Sequence, residues 1–354
     1  MAVRFDRARM EQALGYHERW WKGELGRPLV CVTLTDDHPL EKKTPAPLLS
    51  QSSCADLSWT AEQVIDAIDE ELSQIEFLGD AYPFVNFDAF GPGVLAAFCG
   101  AKLDNGSGRV WFFPEKEREI ADIRVRYDPD NVYARRIKEL YRAGVKRWNG
   151  AVVMGMPDLG GVLDVAATFR GSENLLLDLY DDPDEVKRLT GEIQTAWYAA
   201  YNDLLSALDG QGCNTNWSGI LSRKPSYIAQ CDFCYMIGNP MFREFVRDTL
   251  REDTEKLDHV IYHLDGVGEL NHLDDILAIE KLDAVQWVPG EGKPTCDVWM
   301  DVYRRIEQAG KQSWICGGPD DFLKIVDELH IRPYFTCALP SGERALAETL
   351  LKAR

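Results

Sequence analysis

The sequence predicts an α/β protein folded as one (β/α)8 barrel with an elaborated N-terminal region. Short apolar stretches alternate with amphipathic stretches four times in series in the C-terminal half, and Gly or Pro marks most of the joins. Strand–helix units in series imply parallel strands joined by right-handed crossovers. We therefore predict a single domain over residues 1–354, with residues 1–80 as an extension packing on the barrel. A doubly wound open sheet is the alternative.

The N-terminal elements are the least regular. A helix is predicted for MAVRFDRARMEQALGYHERWW (1–21), because its apolar residues recur at helical spacing. A second helix is predicted for SWTAEQVIDAIDEELSQIEFL (58–78). Strands are predicted for VCVTLT (30–35) and PFVNFDAFG (83–91).

In the middle of the chain, GAVVMGMPDLGG (150–161) and GCNTNWSGIL (212–221) each predict a strand followed by a loop. The long amphipathic stretch between them, DDPDEVKRLTGEIQTAWYAAYNDLLSAL (181–208), predicts a helix. Asp182 before Pro183 marks its start, because these residue types favour the N-cap and the first helical position.

The C-terminal half supplies the four strand–helix units. Strands are predicted for HVIYHLD (259–265), LDAVQWVPG (282–290), QSWICGG (312–318) and PYFTCAL (333–339). The helices that follow them are predicted for NHLDDILAIE (271–280), CDVWMDVYRRIEQAGK (296–311), PDDFLKIVDELH (319–330) and GERALAETLLKAR (342–354).

Composition narrows the classes of partner. The formal net charge is −19, so nucleic acid and anionic membranes would repel the chain and are not expected as partners. The sequence contains no apolar run long enough for a membrane span, and its start lacks the apolar core of a signal peptide. Nine scattered cysteines do not suggest a disulfide scaffold. We expect a cytoplasmic protein with mostly reduced thiols; its oligomeric state is left open.

Polar residues end or follow many of the predicted strands. They are Asp158, Asn216, His263, Asp265, Gln286 and Cys337, with Trp217 and Trp287 among them. In a closed barrel the carboxyl ends of the strands surround one cavity, which is where active sites of such barrels lie. The predicted site is therefore this end of the barrel.

The stretch YHLDGVGELNHLDD (262–275) gives the most specific motif, a His-x-Asp at the end of a predicted strand. Together with LDAVQWVPGEG, TCALPSGE, FVNFDAFGPGVLAAFCG, MPDLGGVLDVAATFRGSENLLLDLYDDP and QCDFCYMIGNPMFREF, it resembles the uroporphyrinogen decarboxylase-like superfamily. Within that superfamily the chain looks most similar to the cobalamin (corrinoid)-dependent methyltransferases. The resemblance extends from about residue 83 to the C-terminus and implies a TIM barrel.

The resemblance also implies a reaction and a metal site. Such enzymes move a methyl group between a small molecule and a corrinoid held on a separate protein, and many bind zinc through His-x-Cys and a later Cys. His263 and Cys337 match the outer positions, whereas Asp265 stands where the family has a thiolate. Zinc also accepts carboxylate oxygen, so His263, Asp265 and Cys337 are the candidate catalytic and zinc-binding residues, with Glu269 as a fourth candidate ligand.

A donor such as a methoxylated aromatic fits this ligand set, because a departing phenolate needs a metal or a proton while cob(I)alamin attacks the methyl carbon. Without metal, His263 is predicted to protonate the oxygen and Asp265 to orient it. Segments that resemble the family's pocket supply Asn216, Trp217, Gln230 and Asp232 as candidate substrate-binding residues. Asn86 and Asp88 are added because they precede a Gly-Pro-Gly turn that can approach a cofactor, Asp158 as a substrate-positioning or ion-pair residue, and Phe90 and Trp287, with Trp217, as apolar walls for an aromatic substrate. Core packing is the alternative for the aromatic residues among them.

Two other reactions fit the resemblance. A methylcorrinoid:thiol or folate methyltransferase would be expected to keep the second thiolate, which is missing here. A tetrapyrrole decarboxylase needs basic residues for several substrate carboxylates, and the acidic balance of the chain disfavours it. A barrel that binds a ligand without catalysis is the third alternative.

Overall fold

A computed structural model describes residues 3, 5–36 and 42–353. Its strands are β1 (Leu29–Thr35), β2 (Ile75–Gly79), β3 (Phe84–Val85), β4 (Lys102–Asp104), β5 (Trp111–Phe113), β6 (Val153–Met154), β7 (Ser226–Gln230), β8 (His259–Asp265), β9 (Ala284–Val288), β10 (Gln312–Ile315) and β11 (Tyr334–Pro340).

The α-helices of the same residues lie before, between and after these strands. They are α1 (Arg7–Trp21), α2 (Ala61–Leu72), α3 (Leu95–Phe98), α4 (Val132–Trp148), α5 (Val162–Arg170), α6 (Ser172–Asp181), α7 (Pro183–Ala207), α8 (Asn239–Phe245), α9 (Arg247–Lys256), α10 (Leu273–Leu277), α11 (Met300–Gln308), α12 (Pro319–Leu329) and α13 (Arg344–Leu350). Within the described part of the chain, every helix is too short or too polar to cross a membrane.

Seven strands form the main sheet, in the order β2-β1-β11-β10-β9-β8-β7. All neighbours in it are parallel except β1 and β2, which are antiparallel. β3 and β6 form a separate parallel pair, and β4 and β5 form an antiparallel one. The α/β class and the parallel order of the C-terminal strands are confirmed. Among the described residues, no strand ladder joins the β3–β6 pair to the main sheet, so a closed barrel is not shown.

Two predicted elements differ from the structure. Residues 212–221 form only an isolated bridge between Asn214 and Ser222, not a strand. The Asn216 side chain accepts the Ser218 N–H at 3.0 Å, and Gly219 follows with φ of +73°, so the backbone turns there. The strand of this region is instead β7, which the sequence analysis did not predict. The helix predicted over 58–78 ends at Leu72 and is followed by β2.

The N-terminal region contributes to the sheet itself. β1 lies between β2 and β11 within the main sheet, so residues 29–35 and 75–79 of the predicted extension are strands of that sheet. α2 begins with a capping box, in which Thr60 and Gln63 satisfy each other's backbone N–H groups. α7 begins at Pro183 with Asp182 as its N-cap residue, as predicted, although the Asp182 side chain makes no capping bond.

A buried histidine ties α1 to two loops. His17 is fully buried, its Nε2–H donates to the Asp80 carbonyl oxygen at 3.1 Å, and its Nδ1 accepts the Leu221 N–H at 3.0 Å. Both ring nitrogens are used by the neutral tautomer, and one of them acts as an acceptor. A proton on Nδ1 would break that bond. Burial accordingly lowers the pKa of His17 from 6.5 to about 4.

The low pKa of His17 makes the stability of the fold depend on pH. The unfolded chain takes up a proton at His17 below about pH 6.5, whereas the folded chain does so only near pH 4, so folding is progressively disfavoured between these values. Urea unfolding should show His17 contributing about 2 kcal/mol of destabilisation between about pH 7.5 and about pH 5. His17→Gln should lower stability at neutral pH and remove that part of the pH dependence. An unchanged slope in the variant would contradict this assignment.

Candidate active site

Three polar side chains lie side by side across the main sheet. Gln230 of β7 pairs with His263 of β8, and His263 pairs with Gln286 of β9. Paired residues of neighbouring strands point to the same face, and Asp265, two residues after His263, shares that face. The register therefore gathers these side chains near the carboxyl ends of three parallel strands, where the sequence analysis expects the site.

The orientation of His263 is fixed by Gln286. Its Nδ1 lies 2.5 Å from the Gln286 side-chain oxygen, and because an amide oxygen only accepts, Nδ1 holds a proton. The Gln286 amide nitrogen lies 2.7 Å from Cys316 Sγ, which fixes the amide in this orientation. The other ring nitrogen, Nε2, lies 3.7 Å from Asp265 Oδ2 and is left for chemistry.

Asp232, directly after β7, completes a cluster with these two residues. One ligand atom each of Asp232, His263 and Asp265 lies within 4.8 Å of the others, and within the described ranges this is the group that meets the geometry for a metal site. An imidazole nitrogen and two carboxylate oxygens suit zinc and other divalent ions. The Gln286 bond at Nδ1 is the outer-shell contact that metal-binding histidines ordinarily have. The donor set thus fits a divalent metal.

The charges of the cluster act on one another. Burial would lower the pKa of His263, but the bond from Asp265 and the negative charge of Asp232 outweigh it and raise that pKa. Burial raises the pKa of Asp232, although the neighbouring His263 opposes this effect. In the absence of metal, the two neighbouring carboxylates therefore stabilise the charged form of the imidazole.

Two further aspartates, the buried Asp158 and the half-buried Asp164, lie near the cluster. Burial raises the pKa of Asp158 and of Asp164 to about 7 in each case, with the Asp232 carboxylate adding to both shifts. Asp164, at the start of α5, accepts the N–H of Phe233 at 2.7 Å and of Asp232 at 3.2 Å, which fixes the backbone that carries Asp232. Asp158 accepts the Gly160 N–H at 2.8 Å.

Glu269, the fourth candidate ligand of the sequence analysis, lies beneath the cluster. It is fully buried, and one carboxyl oxygen accepts the Asp265 N–H and the Tyr262 hydroxyl, each at 3.3 Å. Burial, with Cys234 and Asp232 adding to it, raises the pKa of Glu269 to about 11, so the group is neutral near pH 7. It supports the turn after β8 and is not a member of the three-residue cluster.

A cavity of about 660 Å³ opens beside Asp232. Five aromatic residues line it: Trp111, Phe112 and Phe113 come from β5, Phe169 from α5 and Phe233 from the turn after β7. Gln230 and Asp164 also line it. The Trp217 ring lies 5.3 Å from the His263 ring. The arrangement suits a small molecule with an aromatic or apolar part.

Several residues predicted for the site lie elsewhere. Phe90 is fully buried against Phe87, and Trp287 packs on Trp299 because it faces away from its strand neighbour Gln286. Asn86 and Asn216 use their side chains to cap local turns. Asp88 acts on Asp158 only through its charge.

Cys337 is not a member of the cluster either. The row of paired residues that contains His263 and Gln286 continues through Trp314 to Tyr334 on β11. Cys337 comes three residues after Tyr334, an odd offset that directs its side chain to the other face of a regular strand. The expected zinc set of His263, Asp265 and Cys337 is therefore not assembled here, and Asp232 takes the third place.

Sequence reasoning missed Asp164 and most of the aromatic walls. An acidic residue in the first turn of a helix was the only signal for Asp164, and it is common at helix starts without any functional role. β5, which carries three of the aromatic lining residues, has only three residues, too few for a periodic signal. Gln286 was recognised as a polar strand end but had no predicted role.

Gln286 gives the first test of this geometry. Gln286→Leu removes the acceptor that orients His263, and we expect activity or metal affinity to fall roughly 10- to 100-fold. Gln286→Glu keeps an acceptor at the same place and should retain most of either property. Equal losses in the two variants, measured by titration with zinc and by turnover, would show that the bond to Nδ1 has no positioning role.

The chain is similar to a known protein in its fold and not in its sequence. No family model and no curated protein matches the chain in sequence. Among solved structures, a methyltransferase from Methanosarcina mazei is similar, with a TM-score of 0.58 over 96% of each chain at 13% sequence identity. At that identity the likeness shows that the two chains share a fold, over nearly their whole length.

Proposed function

We propose that the protein is a corrinoid-dependent methyltransferase that moves a methyl group from a small donor to a corrinoid on a separate protein. The observation that carries the proposal is the cluster of His263, Asp265 and Asp232 at the carboxyl ends of the strands, in which Asp232 also lines a cavity with several aromatic residues. The shared fold with a methyltransferase supports it. A methoxylated aromatic is the proposed donor, because the cavity walls suit its ring.

In this reaction cob(I)alamin attacks the methyl carbon, a cobalt–carbon bond forms, and the carbon–oxygen bond breaks with its electron pair on the phenolate. Asp232, His263 and Asp265 are the residues that would hold a zinc ion, which supplies Lewis-acid stabilisation of the departing oxygen. Gln286 and Asp164 keep two of these ligands in place. The aromatic walls align the ring and exclude water.

The same side chains can act without a metal. The raised pKa of His263 favours an imidazolium whose Nε2–H faces the cluster. That proton is then available to the phenolate oxygen, and Asp265 orients the ring and stabilises its charge. Metal content of the purified protein decides between the two forms.

We also propose that the strands close into the predicted (β/α)8 barrel. The contacts of one residue support closure between β6 and β7, where a ladder is missing. The Tyr227 hydroxyl of β7 donates to the Pro157 carbonyl at 2.9 Å and accepts the Leu159 N–H at 2.6 Å, both just after β6. A crystal structure with an open gap at this place would contradict closure.

The function is tested by methyl transfer to added cob(I)alamin. The purified protein is mixed with cob(I)alamin and para-methoxytoluene, and the absorbance change from cob(I)alamin to methylcobalamin is followed alongside release of the phenol. Formation of both products in a one-to-one ratio supports the proposal. The proposal would be rejected if neither product forms from para-methoxytoluene or from other methoxylated aromatics, with protein that contains zinc and with protein that does not.

A further inference from the structure

The cavity beside Asp232 carries charge of one sign. Glu117, Asp164 and Asp232 line it, and the only basic residue among its lining is Arg170. Arg170 is not free to bind an anion, because its guanidinium already contacts Asp178 at 2.6 Å and Glu119 at 2.9 Å. Apart from a metal ion held by Asp232, an anionic ligand would therefore meet carboxylates without a free cation among the described lining residues.

An unpartnered acceptor points to the same kind of ligand. Gln230 lines the cavity with 7% of its surface exposed, and its side-chain oxygen is buried without a hydrogen-bond partner in the described part of the chain. Buried acceptors are nearly always bonded, and an unsatisfied one is costly. A ligand N–H or O–H group that enters the cavity would satisfy it.

The walls add a third observation. Trp111 and Phe113 of β5 are 61% and 49% exposed, an unusual exposure for large aromatic residues, and both belong to the cavity lining. Aromatic faces stack on a ligand ring and also attract cations. The lining thus offers aromatic faces, carboxylates and a free acceptor, while the cation it contains is already paired.

We infer that the methyl donor is a cation, a methoxylated aromatic that carries an ammonium group, and that the cavity discriminates against methoxybenzoate-type anions. The inference rests on the proposed function of the same site. The ring lies between the aromatic walls, an ammonium N–H donates to the Gln230 oxygen, and Glu117 supplies the opposite charge.

Three probes of matched shape test the charge: para-methoxybenzylamine as the cation, para-methoxytoluene as the neutral form and para-methoxybenzoate as the anion. Their binding is measured by calorimetry on the full chain without corrinoid, and their demethylation is measured with cob(I)alamin. We expect the cation to bind roughly tenfold or more tightly than the neutral probe, as a charge-assisted hydrogen bond would give. The anion should bind more weakly than both.

Two variants locate the preference. Glu117→Gln removes a charge that makes no hydrogen bond or ion pair with another described residue, and Gln230→Leu removes the acceptor at similar size. Each should reduce the preference for the cation over the neutral probe severalfold. Glu71→Gln removes an exposed charge on α2, outside the cavity, and should leave the preference at the wild-type value.

The outcomes separate this inference from the proposed function. Preferred binding and demethylation of the cation support both. Equal or tighter binding of the neutral probe or the anion overturns the charge inference, even where methyl transfer occurs. Preferred binding of the cation with no transfer from any probe supports the charge inference and overturns the methyltransferase proposal. Failure of all three to bind overturns the inference.

Discussion

His263→Ala is expected to reduce methyl transfer at least about a hundredfold, the smallest factor that an acid/base or metal-holding group of this kind ordinarily supplies. The imidazole is the one side chain that links Gln286 on one side with Asp265 on the other, through its two ring nitrogens. Its removal leaves two carboxylates without the cation or the nitrogen ligand between them. Turnover and zinc content, measured on the same preparation, should fall together if the residue holds a metal.

The fold should survive this substitution. His263 lies near the carboxyl end of β8, and its neighbours Tyr262 and Leu264, which face the other side of the strand, are fully buried and keep β8 in place. Circular dichroism and the thermal midpoint of His263→Ala should therefore remain close to those of the wild type. His330→Asn, an exposed position at the end of α12, is the matched control and should keep full turnover. A His263→Ala protein with wild-type-like turnover would refute the assignment of the site.

The C-terminal half could be predicted from sequence because each of its strands is a continuous apolar run bounded by turn residues. β8 and β9 are nearly fully buried along their length, which produces that pattern. β3 and β6 have two residues each, too short for any periodicity to appear. β7 was missed because SYIAQ resembles the polar segments around it until its partner β8 is known.

The site residues also divide into those that could be predicted from sequence and those that could not. His263 and Asp265 could be predicted because their spacing puts both on one face at a strand end. Asp232 could be predicted as a pocket residue but not as their partner, since that follows from the β7–β8 register, which pairs Gln230 with His263. The prediction of Cys337 as a ligand differs from the structure for the converse reason. The motif matched, but the face of β11 to which Cys337 points depends on its offset from Tyr334, and the strand pairing is needed to judge that offset.

The second large effect is expected at Gly161, between β6 and α5. A Cβ atom there would lie 2.2 Å from the Gln230 carbonyl oxygen and 2.3 Å from Asp164 Oδ2. The backbone of Gly161, with φ of −75°, would accept alanine, so the obstacle is steric and falls on the end of β7. Gly161→Ala should therefore destabilise the fold by about 1–3 kcal/mol, the usual cost of overpacking, and displace the residues that carry Gln230 and Asp232.

Gly191→Ala is the matched control for this substitution. Gly191 lies within α7, and a Cβ atom there would contact nothing within 4 Å. Alanine should stabilise the helix by roughly 0.5–1 kcal/mol, because it restricts the unfolded chain without straining the folded one. Urea unfolding should move in opposite directions for the two variants, and turnover should fall only in Gly161→Ala. A Gly161→Ala protein with wild-type stability and turnover would mean that the start of α5 and the end of β7 do not approach each other closely enough to constrain the site.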